Sequence, residues 1–239
     1  MAAAIVLGFF TVLAWAAWSD NADNPDHPDH PDNTSHPAPW AGAEPERWDA
    51  EVAEFERSDR QNRPALGGIV VIGSSSIGLW RALESDFPRL PIIRRGVGGS
   101  TLADCLRFID RLVLPYAPRL VVIYAGDNDL AEGATAEDVL ARYLGFVDRV
   151  HRASPTTRIA FISIKASPQR ARLMPQMERA NTLITAAASA RSHLSFVNVY
   201  HPMLNASGRP DASLFLGDGL HPNAAGYAVW KVALGPHLN

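Results

Sequence analysis

The sequence predicts an α/β fold, a three-layer α/β/α sandwich around a mainly parallel five-stranded sheet. Short apolar or β-branched runs recur along the chain, and most are separated by a dozen or more residues with helical periodicity. A length of 239 residues with 47% hydrophobic residues suits one main domain. The predicted strands are 69–73, 91–93, 119–124, 158–163 and 194–199.

Residues 1–18 are predicted to be a signal peptide or a membrane anchor. The seventeen residues 2–18 carry no charge, which is the short end of the roughly 17 to 25 residues that span a bilayer. Residues 14–16, Ala-Trp-Ala, resemble a cleavage site, so a cleaved signal and an uncleaved anchor both stay open. Residues 1–60 hold 12 Asp/Glu against 3 Lys/Arg, and this acidity favours export of the following chain. We expect a periplasmic or extracellular protein, secreted or anchored, that contacts the membrane only through this segment.

Residues 19–39 are predicted to form a disordered tether. Repeated Pro-Asp-His units remove backbone donors and offer nothing to bury. Histidine and aspartate side chains here could bind a divalent metal weakly. A polar spacer is the preferred interpretation, because nothing fixes the geometry of such ligands, and we assign no metal.

Residues 40–239 are predicted to form the folded domain. It begins with a largely helical segment, 40–63, which Pro64 ends, and it closes with a helix at 223–234 whose first position suits Pro222. The strand at 119–124 is apolar almost throughout, as expected of a central strand covered on both faces.

The charge and the residue composition argue against some functions and predict where several single residues lie. The net charge is −3 and the arginines are scattered, so we expect no nucleic-acid surface. Cys105 is the only cysteine and lies on an apolar helical face, so it is predicted to be buried and unreactive. Trp80, Tyr227 and Trp230 are expected to pack in the core or at its rim.

In open parallel sheets, ligands bind beyond the carboxyl ends of the strands. Polar or glycine-rich segments follow four of the predicted strands and also precede the last helix. These segments are 73–76 (GSSS), 94–101 (RRGVGGST), 125–129 (AGDND), 165–167 (KAS) and 218–222 (DGLHP).

These segments carry the groups that nucleophilic acyl transfer needs. A serine hydroxyl needs a base, and a carboxylate must orient that base; Asp218 and His221 have a spacing that permits this. Backbone N–H groups of the glycine-rich loop and the Asn128 amide are candidate oxyanion donors. Taken singly the signals are weak, because serines often cap helices and a glycine-rich loop can cradle phosphate.

Taken together, the blocks resemble those of the SGNH (GDSL-type) hydrolase family. "VVIGSSSIGLW" is similar to the nucleophile block, "RGVGGST" to the second, "YAGDNDL" to the third and "DGLHPNAAGY" to the last. The resemblance runs from about Gly68 to the C-terminus and implies a flavodoxin-like fold. It implies Ser75 as nucleophile, His221 as base and Asp218 as its partner, with no metal or organic cofactor. The implied oxyanion hole comprises the Ser75 and Gly99 N–H groups and the Asn128 side chain.

Two positions depart from the family pattern. Ser74 replaces the usual acidic residue, and Arg94 replaces the usual asparagine. Ser76, the third serine in the row, remains a second candidate nucleophile. Arg94 is expected either to form a surface salt bridge or, less favourably, to contact an anionic substrate group.

The leading hypothesis is a serine esterase acting through an acyl-serine intermediate on a small-molecule or glycan acyl ester. The family implies short-chain acyl esters, acetylated glycans, thioesters or lysophospholipids as substrates. The alternatives are an inactive, envelope-tethered ligand-binding protein of the same fold and a phosphate-binding module. Residues 164–175 are predicted to form a variable wall of the site, with Lys165 solvated or lining the pocket. Asp127 and Asp129 are expected to bond local N–H groups.

Overall fold

The computed structural model describes residues 47–239, which form a parallel five-stranded sheet with helices on both faces. The strands are β1 (Ile69–Gly73), β2 (Ile92–Gly96), β3 (Leu120–Tyr124), β4 (Arg158–Ile162) and β5 (Leu194–Val197). Their order across the sheet is β2-β1-β3-β4-β5, and every neighbouring pair is parallel. The predicted α/β class and five-stranded parallel sheet are therefore confirmed. The predicted segments 1–18 and 19–39 lie outside the described residues.

Nine α-helices occur within residues 47–239. They are α1 (Asp49–Gln61), α2 (Ser75–Gly78), α3 (Leu83–Asp86), α4 (Leu102–Arg107), α5 (Ile109–Leu112), α6 (Asp127–Ala131), α7 (Ala136–Ala153), α8 (Met174–Ser189) and α9 (Ala224–Leu234). Short 3₁₀ helices lie at Leu114–Tyr116, Pro168–Leu173, His201–Met203, Ala212–Leu214 and Gly235–His237. None of the helices in this part of the chain is long and apolar enough to cross a membrane.

The strands are apolar on both faces because each face packs against helices. Val70 and Ile72 of β1 belong to a core shared with α1, α4, α5, α7 and α8. The alternate residues Ile69 and Val71 belong to a second core, shared with α2, α3 and α9. Side chains alternate between the faces of a strand, so β1 must be apolar at each of these positions.

The aromatic residues of the second core hold α9 against the sheet. Trp230 contacts Tyr124 of β3, with ring centroids 4.7 Å apart, and Trp80 stacks on Tyr227 at 5.4 Å. Trp80 and Trp230 are fully buried, and Tyr227 is 9% exposed. The predicted packing role of these three residues is confirmed. Because α9 follows the Asp218–His221 segment directly, this packing also fixes that segment relative to β1.

Helix α2 lies directly on the end of β2. A Cβ atom on Gly96 would lie 2.1 Å from the backbone nitrogen of Gly78, so neither backbone could approach as closely with a side chain there. This close approach sets the direction in which the chain leaves β1 at Ser75, the first residue of α2.

Several predicted element boundaries differ from the structure by one to three residues. In the described part of the predicted 40–63 helix, α1 ends at Gln61, before Pro64. Strand β2 extends to Gly96, because Arg94 and Arg95 both find partners within the fold and therefore do not need a solvated loop. The last helix, predicted at 223–234, begins at Ala224, and Pro222 does not take its first position.

The start of α9 has a physical reason. The side chain of Asn223 caps the helix by accepting hydrogen bonds from the N–H groups of Ala225 and Gly226, at 2.9 and 3.1 Å. An asparagine that accepts such bonds is a preferred N-cap residue. Pro222 instead forms an isolated β-bridge with Phe215.

We predict that Gly96→Ala destabilises the domain while Gly98→Ala does not. The added methyl of the first variant meets two backbone atoms of Gly78, at 2.1 and 2.5 Å, whereas a Cβ on Gly98 meets nothing within 4 Å. Overpacking of this kind costs about 3 kcal/mol, which lowers the thermal midpoint by roughly 6 to 12 °C. Differential scanning calorimetry of both variants checks this. Equal midpoints for the two variants would contradict the close packing of α2 on β2.

Candidate functional site

Ser75 lies where β1 gives way to α2. Its Oγ is 2.9 Å from Nε2 of His221, a residue 146 positions away along the chain. Ser74 and Ser76 on either side are both 1% exposed, and the Ser76 carbonyl accepts a hydrogen bond from the hydroxyl of Tyr227. Of the three serines, Ser75 is therefore the one whose hydroxyl lies against an imidazole.

His221 is oriented by Asp218. Nδ1 of the imidazole lies 2.7 Å from Oδ2 of Asp218, while Oδ1 of the same carboxylate accepts the N–H groups of Leu220 and His221 at 2.8 and 3.0 Å. The hydrogen bond from His221, followed by the two backbone bonds, lowers the pKa of Asp218 to about 2. A carboxylate accepts only, so it favours the tautomer with hydrogen on Nδ1 and leaves Nε2 free to accept from Ser75.

The loop between β2 and α4 brings Gly99 to the same edge. Gly99 has φ +77°, a left-handed conformation that glycine adopts without strain. The loop is tied back to β1, because the Val97 N–H donates to the Gly73 carbonyl at 2.8 Å. The indole of Trp48 covers the loop, with two ring atoms 3.5 Å from the position a Cβ on Gly99 would take.

Asn128 is in the first turn of α6, after β3. Its Nδ2 donates to the Ser100 carbonyl at 2.9 Å, which connects α6 to the loop that carries Gly99. Its Oδ1 accepts from Nη2 of Arg170 at 2.8 Å. The residue is 9% exposed, so little of it reaches solvent. The amide is therefore bonded through both its oxygen and its nitrogen.

The carboxylates on either side of Asn128 take their hydrogen bonds chiefly from residues distant along the chain, where local N–H groups were predicted. Asp129 is fully buried and accepts from the Leu102 N–H at 3.0 Å and from Nη1 of Arg142 at 2.7 Å. Asp127 accepts from Nζ of Lys165 at 2.9 Å. These partners come from distant parts of the chain because both carboxylates point into the protein, where a charge needs a partner.

Lys165 was predicted to be solvated or to line the pocket, and the solvated alternative was wrong. It is 1% exposed, and its ammonium also donates to the Tyr124 hydroxyl at 2.9 Å. Burial lowers the pKa of Lys165, and the Asp127 carboxylate opposes that shift. The Asp127 pKa is itself lowered, because Lys165 and Arg170 together outweigh the effect of burial.

The other polar candidates have structural partners. Arg94 forms an ion pair with Glu84 at 3.0 Å, as the salt-bridge interpretation predicted, and also donates to the Gly78 carbonyl at 2.7 Å. Cys105 is 3% exposed, and burial raises the pKa of its thiol. Within residues 47–239 no group of three or more His, Cys, Asp or Glu side chains could hold a metal ion.

Sequence reasoning missed two residues beside the site, Arg170 and Trp48. Arg170 falls in the 164–175 segment, which was predicted only as a variable wall. Trp48 precedes every motif and carries no catalytic side chain. A cation or an indole at an unremarkable position gives no sequence signal, because the contact depends on how distant segments pack.

Comparison with known proteins identifies the family. The family model of the GDSL-like Lipase/Acylhydrolase family matches residues 73–229, which include all five predicted site residues. No curated protein matches this chain significantly.

Several solved structures share the fold. A GDSL-like lipase from Bacteroides thetaiotaomicron is 22% identical, with a TM-score of 0.67 over 79% of this chain and 97% of that one. An acetyl-xylooligosaccharide esterase from Geobacillus Stearmophilus is 16% identical, with a TM-score of 0.59 over 74% and 96%. A carbohydrate esterase family 3 protein from Talaromyces cellulolyticus is 17% identical, with a TM-score of 0.57 over 72% and 96%. The sheet order, the arrangement of Ser75, His221 and Asp218, and the family match lead to one conclusion: this chain belongs to the GDSL-like lipase/acylhydrolase family.

Proposed function

We propose that the protein is a serine esterase that hydrolyses carboxylic acyl esters through an acyl-serine intermediate on Ser75. The observation that carries the proposal is the continuous hydrogen-bonded series Ser75–His221–Asp218, with contacts of 2.9 and 2.7 Å. A hydroxyl, a base and an orienting carboxylate at these distances are the parts that activate a serine nucleophile.

In the acylation half-reaction, His221 Nε2 takes the Ser75 proton as Oγ bonds to the ester carbonyl carbon. The carbonyl oxygen becomes an oxyanion, which the N–H groups of Ser75 and Gly99 and the side-chain amide of Asn128 stabilise. The protonated imidazole then gives its proton to the leaving alcohol oxygen as the C–O bond breaks. Asp218 remains ionised and balances the charge on the imidazole.

In the deacylation half-reaction, water attacks the acyl-serine carbonyl while His221 takes one of its protons. Collapse of the second oxyanion breaks the bond to Oγ, and His221 returns the proton to Ser75. The products are a carboxylic acid and an alcohol, and no redox or metal step is needed.

Acetyl esters on carbohydrates are the substrate class that we propose first. Two structural neighbours support this choice, one named as an acetyl-xylooligosaccharide esterase and the other as a carbohydrate esterase. The proposed exported location, inferred from the first 18 residues, is compatible with glycan esters of the cell envelope. Longer acyl esters, thioesters and lysophospholipids are the other substrate classes to compare.

The geometry gives no support to the alternative of an inactive binding protein. A protein that only bound a ligand would not need a serine hydroxyl hydrogen-bonded to an imidazole whose tautomer a carboxylate fixes. A phosphate-binding module would likewise leave the Asp218–His221 pair without a role.

We predict that Ser75→Ala abolishes ester hydrolysis while Ser76→Ala retains it. Removing the nucleophile lowers kcat by about 10⁵-fold or more. Ser76 is buried, and it is the Ser75 hydroxyl that bonds His221. Release of p-nitrophenol from acetyl, butyryl and octanoyl esters measures this. Loss of activity in Ser76→Ala with activity kept in Ser75→Ala would contradict the assignment.

We predict that Asp218→Asn lowers kcat by roughly 10² to 10⁴-fold. An asparagine can offer its NH₂ group to Nδ1 and thereby favour the tautomer that presents hydrogen to Ser75. The Asp218 side chain is 46% exposed. In the variant, a water molecule can therefore accept the Nδ1 hydrogen in place of the carboxylate, and this limits the smallest expected loss to about 10²-fold. The matched control is Asp211→Asn, because the Asp211 carboxylate lies in a neighbouring turn and accepts from the N–H and hydroxyl groups of Ser213. Equal kcat values for the two variants would contradict the orienting role.

We also predict that log(kcat/KM) falls with a slope of one on the acid side of the pH profile. The hydrogen bond from His221 lowers the Asp218 pKa to about 2, so this carboxylate stays ionised throughout the range from pH 4 to 8 and adds nothing to the slope. A stopped assay from pH 4 to 8, with a buffer-matched thermal midpoint at each point, checks this. A slope of two with an intact fold would mean that a second group titrates together with the base.

A further inference from the structure

Arg170 connects the proposed oxyanion donor to a buried ion-pair cluster. Its Nη2 donates to Oδ1 of Asn128 at 2.8 Å, and its Nη1 lies 3.1 Å from Oδ2 of Asp127. The Arg170 side chain is 16% exposed, so its guanidinium lies largely inside the protein. One residue thus contacts both the amide that faces the reaction and the carboxylate beside it.

The contact with Arg170 determines which end of the Asn128 amide faces the site. A guanidinium can only donate, so the atom opposite it must be the amide oxygen. The Ser100 carbonyl can only accept, so the atom opposite it must be Nδ2, at 2.9 Å. Both partners favour the same orientation. Rotating the amide by 180° would place its NH₂ group against the guanidinium and its oxygen against the Ser100 carbonyl. The second hydrogen on Nδ2 then remains for a substrate oxygen.

Arg170 is in turn held by groups that cannot easily move. Asp127 accepts from Nζ of Lys165 at 2.9 Å, and the same ammonium donates to the hydroxyl of Tyr124 in β3. Lys165 and Tyr124 are 1% and 0% exposed. The series Tyr124–Lys165–Asp127–Arg170 therefore runs from the central strand to the Asn128 amide.

The 3₁₀ helix Pro168–Leu173, which carries Arg170, also contacts the opposite side of the site. The Gln169 N–H donates to the Gly219 carbonyl at 3.0 Å, and Gly219 lies between Asp218 and His221. The segment therefore bonds both to the turn that carries the proposed base and to the proposed oxyanion donor. A residue placed between them can set their separation.

We propose that Arg170 is a positioning residue that fixes and polarises the Asn128 amide for the oxyanion, and that the Asp127–Lys165 pair holds Arg170 in place. This inference rests on the proposed esterase function. Hydrogen bonds to charged donors are roughly twice as strong as neutral ones, so Arg170 draws electron density to Oδ1 and makes Nδ2–H the better donor.

A double-mutant cycle between Arg170→Met and Asn128→Ala tests the proposal. We expect Asn128→Ala to lower kcat by about 10² to 10³-fold, as loss of one oxyanion donor does. We expect Arg170→Met to lower kcat about 10-fold or more with KM changed less than 2-fold. In the Asn128→Ala background, Arg170→Met should add less than a 3-fold further loss, because its target is already absent. Equal fold-losses in both backgrounds would overturn the proposal.

Two further variants separate positioning from general charge or folding effects. Arg179→Met removes the same charge from an exposed position on α8, where Arg179 pairs with Glu137, and should keep the original kcat. Arg170→Lys keeps the charge but cannot bond Asn128 and Asp127 with one planar fork, so its kcat should lie between those of the original protein and Arg170→Met. A loss carried by KM, or an equal loss in Arg179→Met, would overturn the proposal. If Arg170→Met does not fold, Arg170→Lys replaces it in the cycle.

A second measurement does not require turnover. A p-nitrophenyl alkylphosphonate modifies the protein at a rate that intact-mass measurements can follow. This rate depends on how well the same donors stabilise the phosphonyl oxygen. Arg170→Met should react about 10-fold more slowly than Arg179→Met, and equal rates would overturn the proposal. Normal phosphonylation without hydrolysis of any ester would contradict the esterase function while leaving the Arg170 comparison measurable. Failure of both reactions in the unaltered protein would overturn both proposals.

Discussion

The register of β1 with its two neighbours is the constraint on which the site depends. Gly73, the last residue of β1, lies opposite Gly96 of β2 on one side and Tyr124 of β3 on the other. The three strands therefore end together, and the few residues that follow each strand must emerge at one edge. Ser75 and Asn128 follow two of these strand ends, so they lie at the same edge of the sheet although 53 positions separate them. A one-residue slip would reverse every side chain of a strand relative to its core, which makes the register strongly specified.

Charge buried at this edge complements the strand register. In the segment 127–129, two carboxylates flank an asparagine and point in different directions. The second carboxylate accepts the first N–H of α4 at Leu102, while the first contacts Lys165 and Arg170. Ionised groups held this deeply are costly unless they are paired, so each pairing strongly disfavours other loop conformations. The asparagine between them is immobilised as a result, which is what a preorganised donor requires.

The alternating strands and helices of this fold, and those site residues that lie close together in the sequence, can be predicted from the sequence. Apolar strands such as β3 and the Asp218–His221 spacing are local patterns, and the structure has both where they were expected. The extent of β2 and the surroundings of Lys165 were not predictable, because a charged residue in a sequence gives no sign of a partner far along the chain. The role of Arg170 could not be predicted for the same reason, because its contact with Asn128 spans 42 positions and depends on how a loop folds back.

If Ser75 is the nucleophile, a reagent that traps activated serines must form its covalent adduct on that residue. The full chain is treated with a p-nitrophenyl alkylphosphonate, digested, and the modified residue is identified by tandem mass spectrometry. We expect a single adduct, on Ser75, and we expect no adduct when His221 is replaced by alanine. An adduct on Ser74 or Ser76, or no adduct while the protein still hydrolyses esters, would contradict this assignment.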